Sequence, residues 1–484
     1  MGREEAPNLR QEAVQNGQVG NPPGGEERAQ KESLAYIKSY LDRAQTAQRE
    51  FETYTQEEID AVVKAVGKVV YQNAQYLAEL AVEETGMGLV EDKTAKNKSK
   101  AAIIWNSLRD KKSVGILSRD QEAGIVEIAK PMGVVAAITP CTNPIVTPMS
   151  NAMFALKGGN AIIITPHHKA IRCSTAAIDL INEALAKLGA PKYLVQILSE
   201  QSRENTRNLI ANADVVIATG GAGMVHAAYS SGRPALGVGA GNVQCIIDRG
   251  IDYGEAVPKI IAGRAFDNGI ICSGEQTVIA PAEDFDRIME EFRKNGAYLV
   301  QSTEEKEALR KAMFVDDAMN RHAIGQSAEA LAKLAKIEIP QGTKLFVAEA
   351  DGPGEADLLS KEKMCPVLAA YRYEEFSQAV DIAQANLELE GKGHSVAIHS
   401  HNEENIEYAG KRLSVCRFVI NQVCASSAGG SFFNGLAPTN TLGCGSWGHN
   451  SISENLNYRH LINISRIAYF MPGNHVPTES ELWD

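Results

Sequence analysis

One cysteine in this chain stands where a thiol can be made reactive. The stretch Ala265-Phe-Asp-Asn-Gly-Ile-Ile-Cys-Ser-Gly-Glu-Gln276 carries Cys272 from an apolar pair into a Ser-Gly turn, just ahead of an apolar run. Backbone N–H groups at such a turn can lower a thiol pKa and stabilise an oxyanion. The same spacing also fits a buried structural cysteine. His394 lies in Gly391-Lys-Gly-His-Ser, where flanking glycines permit close approach to a ligand. A structural histidine fits equally. Glycines cluster at 220–223, 237–241 and 443–448. None presents GxGxxG after a strand in the form of a dinucleotide fingerprint, so each alone is a weak nucleotide-binding signal and reads as a turn. His167-His168-Lys169 follows a short apolar run and can face a phosphate or solvent.

The elements that would position these residues alternate. Short β-rich runs are expected at Gly133–Ile138, Ala161–Ile164, Leu194–Leu198 and Val215–Thr219, separated by helical stretches at Pro148–Lys157, Ser174–Leu188 and Glu204–Ala211. That order predicts βαβ units and a parallel sheet. Ligands bind at the carboxyl ends of such strands, here Thr139-Pro140, Thr165-Pro166-His167 and Thr219-Gly220-Gly221. After Gly241, strands are expected at 244–247, 276–280, 344–347 and 396–399, with helices near 253–262, 284–294, 304–313 and 373–387, so a second α/β domain follows. Residues 113–130 read as a β-hairpin. Thr55 and Glu58 form a capping box ahead of helically spaced Ile59, Val62, Val63, Val66 and Val70.

Composition narrows the function. The chain has 484 residues, 48 Lys+Arg against 60 Asp+Glu, and a net charge of −12. A general nucleic-acid binder would need a basic footprint. No apolar run reaches the roughly 18–20 residues of a membrane helix. The eight cysteines contain no CxxC pair, which points to a reducing cytosol and no zinc site. Residues 1–31, with Gly20-Asn-Pro-Pro-Gly-Gly25, read as a flexible tail or a docking peptide.

FDNGIICSGEQ resembles the catalytic-cysteine segment of CoA-acylating aldehyde dehydrogenases. ITPCTNP (138–144), ATGGAGMV (218–225), AAYSSGRPALGVGAGN (227–242), KEKMCPVL (361–368), GKGHS (391–395) and TLGCGSWGHNSISEN (441–455) match in the same order. The resemblance covers about residue 32 to the C-terminus and extends to acylating succinate-semialdehyde dehydrogenases and the aldehyde half of bifunctional aldehyde–alcohol dehydrogenases.

The resemblance implies two Rossmann-like open-sheet domains: 32–240 for the dinucleotide, with an oligomerisation hairpin, and 241–425 for catalysis. Residues 426–484 would return to the first domain. It implies oxidation of an aldehyde to acyl-CoA with NAD, NADP also being possible, in a cytoplasmic homo-oligomer. Cys272 would be the nucleophile, His394 the base, and Asn143 with the Cys272 N–H the oxyanion hole. The cofactor would meet Thr139, Pro140, Thr165, His167, Thr219, Gly220, Gly221, Gly239, Glu362 and Leu442.

Hydrolytic relatives carry a water-activating glutamate where this chain reads Gly237-Val-Gly-Ala-Gly241. Its absence favours transfer to a thiol over release of a free acid. Acetaldehyde is the first expected substrate. Succinate semialdehyde or sulfoacetaldehyde would need a cation, for which Arg264, eight residues before Cys272, is the candidate. The tail resembles extensions that take such enzymes into bacterial microcompartments. A hydrolytic dehydrogenase, a reductase of acyl phosphates and a non-enzymatic scaffold are the competing readings.

Overall fold

The computed structural model describes residues 25–484. Its first helix begins at Gly25 and runs to Phe51. Folded structure therefore starts seven residues before the expected position 32. Ile37, Ala44 and Phe51 on one face of this helix are fully buried, a stripe that ties the segment to the first core. The rest of the expected tail, residues 1–24, lies outside the described residues.

The capping box forms: Thr55 Oγ1 accepts from the Glu58 N–H, and Glu58 accepts from the Thr55 N–H. The helix Gln56–Gln72 that it starts buries the five predicted aliphatic residues. They pack against helices Val90–Leu108, Val146–Lys157 and Ile171–Ala186.

Strands β1 (Gly115–Asp120) and β2 (Ile125–Pro131) make the expected hairpin. Strands β3 (Val134–Ile138), β4 (Ala161–Thr165), β5 (Val195–Ile197), β6 (Val215–Ala218) and β7 (Ala235–Gly237) form a parallel sheet in the order β5-β4-β3-β6-β7. Strand order reverses between β3 and β6, so the crevice for a ligand opens beyond Ile138 and Ala218.

A second sheet is built from β8 (Gln244–Ile247), β9 (Thr277–Pro281), β10 (Ala297–Leu299), β13 (Leu345–Glu349), β14 (Val367–Tyr373), β15 (Gly393–His399) and β16 (Val415–Ile420). Its order is β10-β13-β14-β9-β8-β15-β16, all parallel; β11 (Phe314–Val315) and β12 (Ala318–Met319) make a separate small hairpin. Strand β17 (Ile462–Ala468) pairs along the whole of β2, which brings the C-terminal segment back to the hairpin.

Seven strands, β7, β10, β11, β12, β14, β16 and β17, lie outside the expected runs, and two of them escape for different reasons. β14 is buried on both sides and has no alternation to read. β16 alternates, but one inward position is Arg417, only 2% exposed. The helix expected at 373–387 starts at Phe376, because Tyr373 still belongs to β14.

The chain passes from the carboxyl end of β7 at Gly237 to the amino end of β8 at Gln244 in six residues. That short link sets the carboxyl edge of the first sheet against the amino edge of the second. Cys272 precedes β9, Glu362 precedes β14, and His394 opens β15. All three therefore lie at the amino edge of the second sheet.

Candidate active site

Helix Tyr253–Ala265 ends in a turn in which Asp267, Asn268 and Gly269 all have positive φ, 53°, 54° and 73°. Asp, Asn and Gly are the residues that tolerate this left-handed backbone best. The turn is clamped from the Val90–Leu108 helix. Asp267 accepts from the Leu89 N–H (2.9 Å), Lys93 Nζ (2.9 Å) and Lys96 Nζ (2.7 Å), and its own N–H donates to Asp92 (2.7 Å). Burial alone would raise the Asp267 pKa, but the two ammoniums outweigh it and hold the carboxyl below the usual range.

Arg264 supports the same turn from the other side. It is fully buried and donates to the backbone carbonyls of Glu275 (3.0 Å) and Gly269. Its guanidinium does not line the cleft at Cys272, so the expected contact with a substrate anion is corrected: Arg264 braces the catalytic loop.

Cys272 is half-buried at the floor of a cleft of about 550 Å³, open solvent at its mouth included. Burial pushes its thiol up to about 12, helped by Glu362 and Cys444 and opposed by Arg417 and by its own N–H. The resting sulfur is thus protonated and needs a base. Asn143 lines the same cleft, and Lys96 Nζ donates to its Oδ1 at 2.7 Å. An ammonium only donates, so this bond fixes the amide flip and leaves Nδ2 as the free donor. Gly241 lies behind the cysteine: a Cβ there would fall 2.0 Å from the Cys272 carbonyl oxygen.

His394 is fully buried with neither ring nitrogen hydrogen-bonded. Burial, with Arg417 nearby, pulls its pKa down to about 3, so the ring is neutral and can accept a proton. Arg417 donates to the His394 carbonyl (2.8 Å) and fixes this backbone. Burial, then Glu390, pushes Glu362 up to about 8, against Arg264.

The expected cofactor residues divide. Thr139 is buried with an unpartnered Oγ1. A Cβ added at Gly220, Gly221 or Gly223 meets nothing within 4 Å. The strand-end crevice thus offers an open glycine turn leading into helix Ala222–Tyr229, a fit for a pyrophosphate. Pro140 borders it, half-buried, and Gly239 packs 3.3 Å, measured from an added Cβ, from Cys444 Sγ. Thr219 bonds Thr441 (2.9 Å) and so joins the crevice to Leu442, which lines the Cys272 cleft itself. Thr165 is tied to Gln201 (3.0 Å) at the end of β4. His167, pulled down to about 4 by burial and His168, brings no charge there at neutral pH.

A family model described as the aldehyde dehydrogenase family matches residues 15–460. The chain belongs to that family. Over 92% of its length it is 55% identical to a succinate-semialdehyde dehydrogenase (acetylating) from Clostridium kluyveri, covering 98% of that protein. An acetylating aldehyde dehydrogenase from Geobacillus thermoglucosidasius has the same fold (TM-score 0.89, 38% identity, 93% of this chain and 99% of that one). A propionaldehyde dehydrogenase from Rhodopseudomonas palustris, solved with bound CoA and an acylated cysteine, superposes with a TM-score of 0.80 at 27% identity, over 90% and 97% of the two chains. Among aldehyde dehydrogenases, this one is therefore of the CoA-acylating kind, an oxidoreductase with two parallel-sheet α/β units.

Lys93, Lys96 and Lys100 escaped the sequence reading. They are spaced three and four residues apart and fall on one helix face. Such a stripe normally reads as solvated surface. The buried Asp267 turns it inward.

Proposed function

We propose that Cys272 carries an acyl group from an aldehyde to CoA. The observation that carries this reading is the lining of the cleft: Cys272, Asn143 and two lysines are present, and no Asp or Glu is. No carboxylate of the lining can activate water, Glu362 acting on Cys272 from outside it, whereas a thiol acceptor is a stronger nucleophile and is partly ionised.

The Cys272 proton passes to a ring nitrogen of His394, whose low basicity in the resting site makes the transfer brief. Sγ adds to the carbonyl carbon. The developing oxyanion takes hydrogen bonds from the Cys272 N–H and Asn143 Nδ2. Bound NAD(P)⁺ supplies the hydride acceptor; Thr139 and the turn at Thr219-Gly220-Gly221 would hold it, and Glu362 would meet its ribose. Loss of hydride leaves a thioester on Cys272. His394 gives that first proton up to solvent, then takes the CoA thiol proton; the CoA thiolate adds to the thioester carbonyl, and Cys272 leaves as a thiolate that His394 reprotonates.

The same reading takes 32–240 as the dinucleotide unit and 241–425 as the catalytic unit, with 426–484 returning to the first. It assigns the β1-β2-β17 sheet, whose outer strand exposes Ile464 and Ile467, to contact between copies of a homo-oligomer. Among the described residues no helix is long and apolar enough to cross a membrane. A cytoplasmic site fits that, and residues 1–31 are the candidate contact with a microcompartment shell.

The test is NAD(P)H formation with and without CoA. Multiple turnover must require CoA and vanish in Cys272→Ala. Equal turnover without CoA would mean hydrolysis and sink the proposal.

A further inference from the structure

The Cys272 cleft holds a cation that the acylation chemistry does not use. Lys100 extends from the Val90–Leu108 helix into this cleft, and its Nζ donates to the Gly429 carbonyl oxygen at 2.9 Å. That is the one hydrogen bond it makes among the described residues. No carboxylate lies within ion-pair distance of it there, in contrast to Lys93 and Lys96, which share Asp267. An ammonium has three donors, so two have no partner among the described residues.

A largely buried cation without a counter-ion is unfavourable. Burial, reinforced by Lys96 and opposed by Cys272, pulls Lys100 down to about 8, so it is still mainly an ammonium at neutral pH. The polar groups around it do not relieve this. Ser426 and Asn440 already donate to backbone carbonyls, and neither brings negative charge. An anion delivered by the substrate would supply the missing partner. A small uncharged aldehyde would leave Lys100 as it is.

We infer that Lys100 is the residue by which this enzyme selects aldehydes bearing a terminal anion, a carboxylate or a sulfonate, over uncharged ones. The inference rests on Cys272 as the reacting thiol of this cleft. It moves the anion-reading role from Arg264, whose guanidinium faces backbone carbonyls, to a lysine on a different element. It also reverses the order of expected substrates, placing acetaldehyde behind the anionic aldehydes.

The test compares succinate semialdehyde and sulfoacetaldehyde with butanal, an uncharged aldehyde of the same carbon count as the first, in wild type, Lys100→Met and Lys100→Arg. Losing one partner of a desolvated charge pair should lower the ratio of kcat/KM for the preferred anionic aldehyde to that for butanal by about 100-fold in Lys100→Met. Lys100→Arg should recover most of it. The two anionic substrates decide between carboxylate and sulfonate. An unchanged ratio, or equal losses on all three aldehydes, overturns the assignment, because the lysine would then be serving the chemistry or the fold.

A second readout does not depend on acyl transfer. Succinate should slow alkylation of Cys272 by iodoacetamide in wild type and not in Lys100→Met. Protection that survives the substitution overturns the inference even if CoA-dependent turnover is confirmed. Protection lost in the variant supports it even if CoA proves not to be the acceptor.

Discussion

Lys96→Met should damage catalysis without damaging the fold, and through one particular atom. Lys96 Nζ bonds both Asp267 Oδ2 and Asn143 Oδ1 at 2.7 Å. In the variant Asp267 keeps Lys93 at 2.9 Å and the Leu89 N–H, so one carboxylate still faces one ammonium. The loss is then that of a hydrogen bond to a charged group, about 1.5–3 kcal/mol, rather than of a stranded buried charge. Asn143 loses the only hydrogen bond among the described residues that distinguishes its oxygen from its nitrogen. Removing an oxyanion donor outright costs about 10²–10³ in kcat. An amide free to flip keeps part of its effect, so the expected fall is about 10–100-fold. The assay is the single-turnover rate of NAD(P)H formation, which excludes product release, measured for wild type, Lys96→Met, Asn143→Ala and the double variant. If Lys96 acts by orienting Asn143, the double variant will be no slower than Asn143→Ala. Additive losses, or an unaltered rate in Lys96→Met, would refute the reasoning.

Gly241→Ala should be among the most harmful methyl additions in the chain. The new Cβ would meet the backbone of Cys272, its carbonyl oxygen at 2.0 Å and its Cα at 3.0 Å, and backbone cannot rotate away. Iodoacetamide titration should show Cys272 misplaced, with stability lowered by about 1–3 kcal/mol; full activity would show the loop to be pliant. Thr55→Ala removes the side-chain half of the Gln56–Gln72 cap and should cost about 1 kcal/mol in denaturant unfolding with kcat unaltered. His394 gives a pH signature. Its folded pKa, about 3, lies below the ordinary 6.5, so between those values the unfolded chain binds a proton that the folded chain refuses. Stability is intact above about pH 6.5 and falls below it, by about 2 kcal/mol at pH 5. Wild type should therefore lose that much more than His394→Gln between pH 7 and pH 5, and parallel pH curves would show the ring to be solvated.

Much of the site was legible because its chemistry is local. A cysteine in a Ser-Gly turn, a glycine-flanked histidine and glycines at strand ends are short-range patterns, and βαβ alternation places strand ends without reference to distant residues. The Asp-Asn-Gly run before Cys272 is likewise a backbone statement made by residue type. What the sequence could not decide is which distant charges meet. Arg264 and Lys100 are both basic residues on helices, and nothing in the residues flanking them says which one faces the cleft. The fold turns Arg264 onto the carbonyls of Glu275 and Gly269 and leaves Lys100 facing the cleft with one carbonyl partner. Asp267 meets Lys93 and Lys96 across more than 170 positions of chain, a pairing set by how the Val90–Leu108 helix docks on the second unit. Local preferences act over a few bonds and are written in residue order. Burial and charge pairing act through space, so the identity of the cation beside Cys272 was decided only when the chain closed around it.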